Sequence, residues 1–324
     1  MKVGKLNWDD LKQIINENKS VVRSDIRIRS GIGEDCSVIN FGEYECVVST
    51  DPITGADKNI GKLAVHINCN DIASCGVEPI GILVTILVPP TSTLEDIKNI
   101  MQEIDEETKK MNVEILGGHT EVTEAVNRII VSCTAIGKSK AHAAVATSGA
   151  KLGDDVVVTK LLCMEGTSIV VNDHLDRVNS VLTHKEIEVA KGYVDSISVV
   201  NEGLIAGKFG VNSMHDITEG GVLGALWEVA QASNLGFKVY NDKMPISDIT
   251  HKVCEKLSID PLKFISSGSM LITVSNGKGL VDKLNDSGVR ATIIGNMTES
   301  RGILIVDEIE EDVLPPTIDE LFSI

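Results

Sequence analysis

The sequence predicts a two-domain protein of the α/β (α+β) class, and three observations predict it. At 324 residues the chain is longer than one hydrophobic core usually organises. Apolar residues alternate at strand spacing in some segments and recur at helical spacing in others, in turn along the chain. A small, polar, Gly-containing stretch from Ser139 to Gly153 divides it, so the domains are expected at residues 1–140 and 150–324.

Composition sets the material of those domains. Hydrophobic residues make up 43% but aromatics only 3%, so the core must be built from Ile, Val, Leu and Ala. Asp plus Glu is 47 against 30 Lys plus Arg, a net charge of −17. That surface repels nucleic-acid phosphates and excludes a nucleic-acid partner. A small anion such as a nucleotide can still bind where a cation and backbone N–H groups screen the charge. Met1 to Asp10 lacks the apolar run of a signal peptide. The longest apolar run, Ile80 to Pro90, falls short of the ~18 residues of a spanning helix. No membrane partner and a cytoplasmic location are therefore expected. Cys36, Cys46, Cys69, Cys75, Cys133, Cys163 and Cys254 form no C-x-x-C pair and read as reduced core residues.

In chain order, Asn7 caps a first helix with Trp8, Leu11, Ile14 and Ile15 as its stripe. Arg23 to Asp35 reads as a loop, and Ser37 to Phe41 as a strand. Tyr44 to Thr50 is a strand with Cys46 and Val48 facing inward. Asn59 to Cys75 is a helix ended by Gly76. Pro79 to Val88 is a strand. Thr93 caps an amphipathic helix with Leu94, Ile97, Ile100, Met101, Ile104, Thr108 and Met111 on one face. Val113 to Leu116 and Arg128 to Ile136 are strands. In the second half Asp155 to Thr159 is a strand, and helices at Val199 to Lys208 and Gly221 to Ala232 flank a short strand, Val211 to His215. Strands at Ser269 to Val274, Arg290 to Ile294 and Gly302 to Val306 follow, with a helix at Gly279 to Asn285.

Five constellations carry chemistry. Gly31-Ile32-Gly33-Glu34-Asp35 sets two glycines, which permit close backbone approach, before two carboxylates able to hold a hard cation; it also reads as a solvated turn. Ser49-Thr50-Asp51-Pro52 ends a strand with a carboxylate. Asp71 follows Ile60, Leu63, Ala64 and Ile67 on one helical stripe, where a carboxylate is costly unless paired, capping or metal-bound; Asn70 beside it offers an amide. Gly117-Gly118-His119-Thr120-Glu121 follows a strand with backbone that can wrap phosphates. His215-Asp216-Ile217-Thr218-Glu219-Gly220-Gly221 opens a helix whose N-terminal N–H groups can meet an anion, or simply be capped by Thr218 or Glu219.

In this order, and with Gly61-Lys62-Leu63-Ala64, Asn70-Asp71-Ile72-Ala73 and Gly76-Val77-Glu78-Pro79 between them, these motifs resemble the superfamily of AIR synthase, thiamine-monophosphate kinase and selenophosphate synthetase. The resemblance covers roughly residues 25 to 306 and is nearest to the hydrogenase-maturation family HypE. It implies an AIR-synthase-like fold, with an N-terminal sheet-forming domain that dimerises and binds ATP and a C-terminal α/β domain, and with Mg-ATP held near the dimer interface. It implies metal roles for Asp35, Asp51 and Asp71. It implies nucleotide contacts at Gly33, Glu34, Asn70, Gly117, Gly118, His119, Thr120, Gly220 and Gly221, and catalytic roles for Lys62, Asp216, Thr218 and Glu219. Two positions depart from the pattern. His119 stands where relatives carry Asp or Glu, and the last cysteine is Cys254, whereas HypE carries its substrate on a C-terminal cysteine. The expected function is an ATP-dependent enzyme resembling HypE, with a small molecule or protein tail as acceptor. The alternatives are a small-molecule kinase of the thiamine-monophosphate type and a nucleotide-binding scaffold without turnover.

Overall fold

The computed structural model describes every residue except 1–3, 5, 7, 18–20, 30, 57 and 316–317, and the side chain of residue 16. The cap expected at Asn7 lies outside the described residues. Helix α1 (Trp8–Glu17) is followed by strands β1 (Ile26–Ile28), β2 (Ser37–Asn40) and β3 (Tyr44–Ile53), helix α2 (Ile60–Ser74), β4 (Pro79–Val88), α3 (Leu94–Met111), β5 (Glu114–Val122) and β6 (Ile130–Lys140). The strands form one sheet in the order β1-β2-β3-β6-β4-β5, antiparallel except for β4 with β5. Then come β7 (Asp155–Thr159), α4 (Met164–Asp173), α5 (Leu175–Val178), α6 (His184–Lys191), α7 (Val200–Phe209), β8 (Ser213–Asp216), α8 (Gly221–Ser233), β9 (Gly236–Tyr240) and α9 (Asp248–Leu257). The chain continues through β10 (Met270–Val274), α10 (Gly277–Asp286), β11 (Ala291–Thr298), β12 (Gly302–Val306) and β13 (Ile309–Asp312). A second sheet runs β13-β12-β9-β11-β7-β10-β8. The mixed α/β class read from the sequence is the class observed.

Helix α3 shows why local chemistry was sufficient in places. Thr93 and Asp96 form a reciprocal capping box, and Lys109 and Lys110 sit in the last turn against the helix dipole. Elsewhere packing overrides the local pattern. The loop expected from Arg23 to Asp35 contains β1, which pairs with β2 through Ile26 and Ile28. Cys46 and Val48 do not face inward. The buried set of β3 is Glu45, Val47, Ser49 and Ile53, the opposite parity. Valines on both faces leave the parity of this strand ambiguous, and Glu45 is tolerated inside because Arg27 pairs with it bidentately.

In α2 every residue but Lys62 is buried, so a one-sided stripe does not describe it. One side meets β3 and β6 and another meets α7 of the second half. There the backbones nearly touch: a Cβ on Gly76 would lie 3.0 Å from the Gly207 Cα, and a Cβ on Gly203 would collide with the Ala73 carbonyl. The main hydrophobic cluster accordingly runs without a break from Val38, Val47 and Ile72 to Val158, Ile217 and Leu226. Trp8 of α1 stacks at 4.9 Å on Trp227 of α8, so the first helix also bridges the halves.

Candidate functional site

Strand β3, the last turn of α2, the loop before β2 and strand β8 deliver four aspartates to one place. Asp71 is 4% exposed, and its Oδ2 accepts from Ser49 Oγ at 2.5 Å. One turn on, Ser74 Oγ lies 2.9 Å from Asp35 Oδ2 and 2.7 Å from the Asp71 carbonyl oxygen. Asp216 comes from the second half on β8 and is 1% exposed. Asp51, at the end of β3, is fixed by its N–H donating to Asn68 Oδ1 at 2.8 Å.

Carboxylates this close cannot all be charged in a dry site. Burial raises the Asp71 pKa well above the usual range, and Asp216, Asp51 and Asp35 push it further. Burial likewise lifts Asp216 to about 8, with Asp35 and Asp51 adding to the rise. His215 supplies the compensating charge. Burial opposes its protonation, but Asp35 at 2.6 Å from Nδ1 and Glu228 at Nε2 outweigh it and hold the imidazole protonated.

One atom of Asp35, His215 and Asp216 each fall within 4.8 Å of one another. The ring nitrogens of His215 are committed to Asp35 and Glu228, which leaves the carboxylates as the donor set. Asp216 Oδ2 is buried and has no hydrogen-bond partner. Hard carboxyl oxygens, one of them orphaned, fit a hard divalent cation such as Mg2+, whose charge would draw the proton from them.

Asp51 also lines a cleft of about 850 Å³ between the halves. Its walls include Leu63 and Ile67 of α2, Glu165 and Ile169 of α4, Thr218 and Glu219 before α8, Ser267, and Leu321, Phe322 and Ile324. Thr218 and Glu219 therefore stand two and three residues beyond Asp216 on the wall of a ligand-sized space.

Other residues singled out in the sequence are placed differently. Lys62 lies nine residues before Asp71, about 13 Å along the helix axis. Its Nζ pairs with Asp195 of the second half and lies 3.5 Å from Glu107, so it acts as a tether. Asn70 spends both ends of its amide on the second half: Nδ2 donates to the Ile197 carbonyl and Oδ1 accepts the Val199 N–H, each at 2.8 Å. Glu34 accepts the N–H groups of Thr147 and Ser148 at 3.1 and 3.0 Å, and a Cβ on Gly33 would press on the Glu228 carbonyl.

Gly117 to Thr120 do not follow a strand but lie inside β5, the edge strand, paired with Leu83 to Ile86. A Cβ on Gly118 would stand inside the Val84 carbonyl, so this glycine serves strand pairing. His119 is exposed and lies 3.3 Å from Glu121. Gly220 gives its N–H to Asp319 Oδ2 at 2.6 Å, and a Cβ on Gly221 would meet the Leu262 carbonyl at 2.6 Å.

Sequence reasoning missed His215 as the charge beneath the aspartates, although Glu228 thirteen residues on was a cue to a partner on the next helix. It also missed Glu165, Ser267 and Asp319, which carry no local motif.

The described residues include no helix long and apolar enough to cross a membrane, and all seven cysteines are free. The model of the AIR synthase related protein N-terminal domain matches residues 33–139, and that of the C-terminal domain matches residues 151–307. A putative hydrogenase expression/formation protein of Methanocaldococcus jannaschii is 29% identical over 317 residues, covering 93% of this chain and 91% of that protein. Carbamoyl dehydratase HypE of Bradyrhizobium diazoefficiens is 28% identical over 75% of this chain and 70% of its own length. The thiamine-monophosphate kinase of Pyrococcus horikoshii is 26% identical over 88% of each chain. Among solved structures, a HypE–HypF complex superposes with a TM-score of 0.79 at 22% identity over 94% of this chain and 99% of that one. AaThiL complexed with AMPPCP and TMP gives 0.75 at 21% identity over 96% of each. HypE in complex with ATP gives 0.69 at 16% identity over 95% of this chain and 91% of that one. These superpositions show a shared two-domain fold.

Proposed function

The chain belongs to the AIR synthase related family, and from that premise we propose that it is an ATP-dependent, HypE-like hydrogenase maturation factor that binds Mg-ATP at the four-aspartate cluster. The observation that carries this reading is the meeting of Asp35, Asp51 and Asp71 from one half with Asp216 from the other, beside a cleft large enough for a nucleotide. Relatives solved with ATP or AMPPCP support it.

Asp35, Asp51, Asp71 and Asp216 would hold Mg2+, which supplies positive charge against the triphosphate. The chain's own residues do the rest. His215 and Ser74 fix Asp35, Ser49 fixes Asp71, and Glu228 holds His215 from behind. Thr218 and Glu219 face the space in which the acceptor must sit. Calorimetric titration with ATP in Mg2+ and in EDTA tests the reading, followed by phosphate release with candidate acceptors. A small-molecule kinase is the second reading, favoured by the 88% mutual coverage with the Pyrococcus horikoshii enzyme.

The proposal includes a homodimer through the first sheet. Among the described residues α2 and α3 pack against that sheet, and Tyr44, Ile80, Leu83 and Leu116 are 41–49% exposed. A second copy on the outer face would cover them.

A further inference from the structure

Two of the free cysteines meet beside the aspartate cluster. Cys36 follows Asp35 directly, and its Sγ donates to the Asp71 carbonyl at 3.1 Å. Cys75 follows Ser74, whose hydroxyl meets Asp35 Oδ2 at 2.9 Å. Two neighbouring rungs therefore join the loop before β2 to the end of α2: Asp35 with Ser74, and Cys36 with Cys75. The two thiols lie within hydrogen-bond reach of each other. Both residues are buried, at 3% and 5% exposure. The proposed Mg-ATP chemistry uses neither sulfur, since a thiol is a poor ligand for a hard cation. What two thiols in contact can do, and two alanines cannot, is lose two electrons and join.

The two sides of this pair are not equally free to move. Cys75 closes α2, with its N–H on the Ile72 carbonyl at 3.2 Å and its carbonyl accepting the Val145 N–H at 2.9 Å. Gly76 after it lies against Gly207. Cys36 lies outside regular structure, one residue before β2. A disulfide holds its sulfurs about 2 Å apart, closer than any contact between two thiols. The approach therefore falls on Cys36 and carries Asp35 with it, away from Ser74 Oγ and from His215 Nδ1, which lies 2.6 Å from Asp35.

We propose that Cys36 and Cys75 form a redox pair, which peroxide closes into a disulfide that re-aims Asp35 and weakens the hold of the aspartate cluster on Mg-ATP, and which a dithiol reopens. This rests on the reading of the cluster as the Mg-ATP site. One thiol, as its thiolate, attacks a peroxide oxygen; the O–O bond breaks, and a sulfenic acid and water result. The second sulfur displaces the sulfenic oxygen, which leaves as a second water, and the S–S bond forms. Two thiols and one hydrogen peroxide thus become one disulfide and two waters. The S–H that Cys36 gave to the Asp71 carbonyl is spent, and Ser74 Oγ still serves that oxygen at 2.7 Å. Burial and the neighbouring Cys75 thiol push the Cys36 pKa well above the usual thiol range, so closure is slow and calls for excess oxidant.

The reduced full chain is treated with hydrogen peroxide, its remaining thiols are blocked, and it is digested without reductant for peptide mapping. A linked peptide joining Cys36 to Cys75 is expected, and it should disappear on treatment with dithiothreitol. Calorimetric titration with AMPPCP in Mg2+ is expected to show at least tenfold weaker binding after peroxide and full recovery after dithiothreitol. Cys75→Ser keeps the size of the side chain but cannot cross-link, so its affinity should survive the same treatment. If that variant fails to fold in a thermal melt, recovery of the wild type in dithiothreitol carries the control. No linked peptide, or a linked peptide with unchanged affinity, would overturn the proposal. A reduced chain that does not bind AMPPCP would remove the Mg-ATP reading, while the linked peptide and its reversal still decide whether the pair closes.

Discussion

Asp319 Oδ2 accepts the Gly220 N–H at 2.6 Å, so a carboxylate nearly a hundred residues away along the chain occupies the start of α8. Burial raises the Asp319 pKa to about 6, against the N–H groups of Leu321, Gly220 and Ile265. A raised carboxyl pKa adds stability that is fully present below the unfolded pKa and is lost as pH rises through the folded one. Between pH 4 and pH 7 the wild type should therefore lose up to about 3 kcal/mol more than Asp319→Asn, whose amide does not titrate. Urea melts of both proteins at pH 4 and pH 7.5 measure the difference. Parallel loss in the two would show that Asp319 is not buried as described.

Asp71 feels the charge of each of the other three aspartates. Asp71→Asn keeps an oxygen for Ser49 Oγ and removes a charge that the apo site resists. Its melting temperature should hold or rise, while affinity for ATP in Mg2+ falls at least tenfold in calorimetry. Wild-type affinity that is the same in EDTA as in Mg2+ would sink the metal role. A variant that mainly loses stability would make Asp71 structural.

Leu83 is 41% exposed at the middle of β4. In light scattering the wild type should be a dimer at micromolar concentration, and Leu83→Glu should be a folded monomer, because a charge there is buried without a partner on association. A wild-type monomer would refute the dimer.

Asn70→Ala removes both hydrogen bonds to the 197–199 segment and leaves a buried N–H and C=O unpaired. The expected cost is roughly 2–4 kcal/mol, read as a lower denaturant midpoint. A loss of nucleotide affinity with no loss of stability would return Asn70 to the binding site.

The sequence made legible what local chemistry decides. The capping box of α3, the Gly76 end of α2 and the buried carboxylate of Asp71 could be read because cap residues, breakers and misplaced charges declare themselves locally, whereas Asp35 and Asp51 were singled out by the family resemblance. Partnership across the chain could not. Lys62 and Asn70 belong to conspicuous motifs, but their partners Asp195, Ile197 and Val199 lie more than 120 residues away. Helix α4, strand β9 and helix α9 passed unread because residues 160–198 and 234–268 mix short apolar runs with no sustained period. The inward parity of β3 turned on an Arg27–Glu45 pair that no alternation predicts.

The contact of Gly76 with Gly207 and of Ala73 with Gly203 leaves no slack between α2 and α7. Two halves joined backbone to backbone cannot swing apart as a clamshell without exposing the whole of α2. Traffic into the cleft must then pass the smaller pieces of its rim, residues 54–56 after β3 and the 318–324 segment. The same seam makes the halves poor candidates for separate life: cut at residue 150, each would carry a face of bare glycine and buried polar groups meant for the other, and heat should melt the intact chain in a single transition.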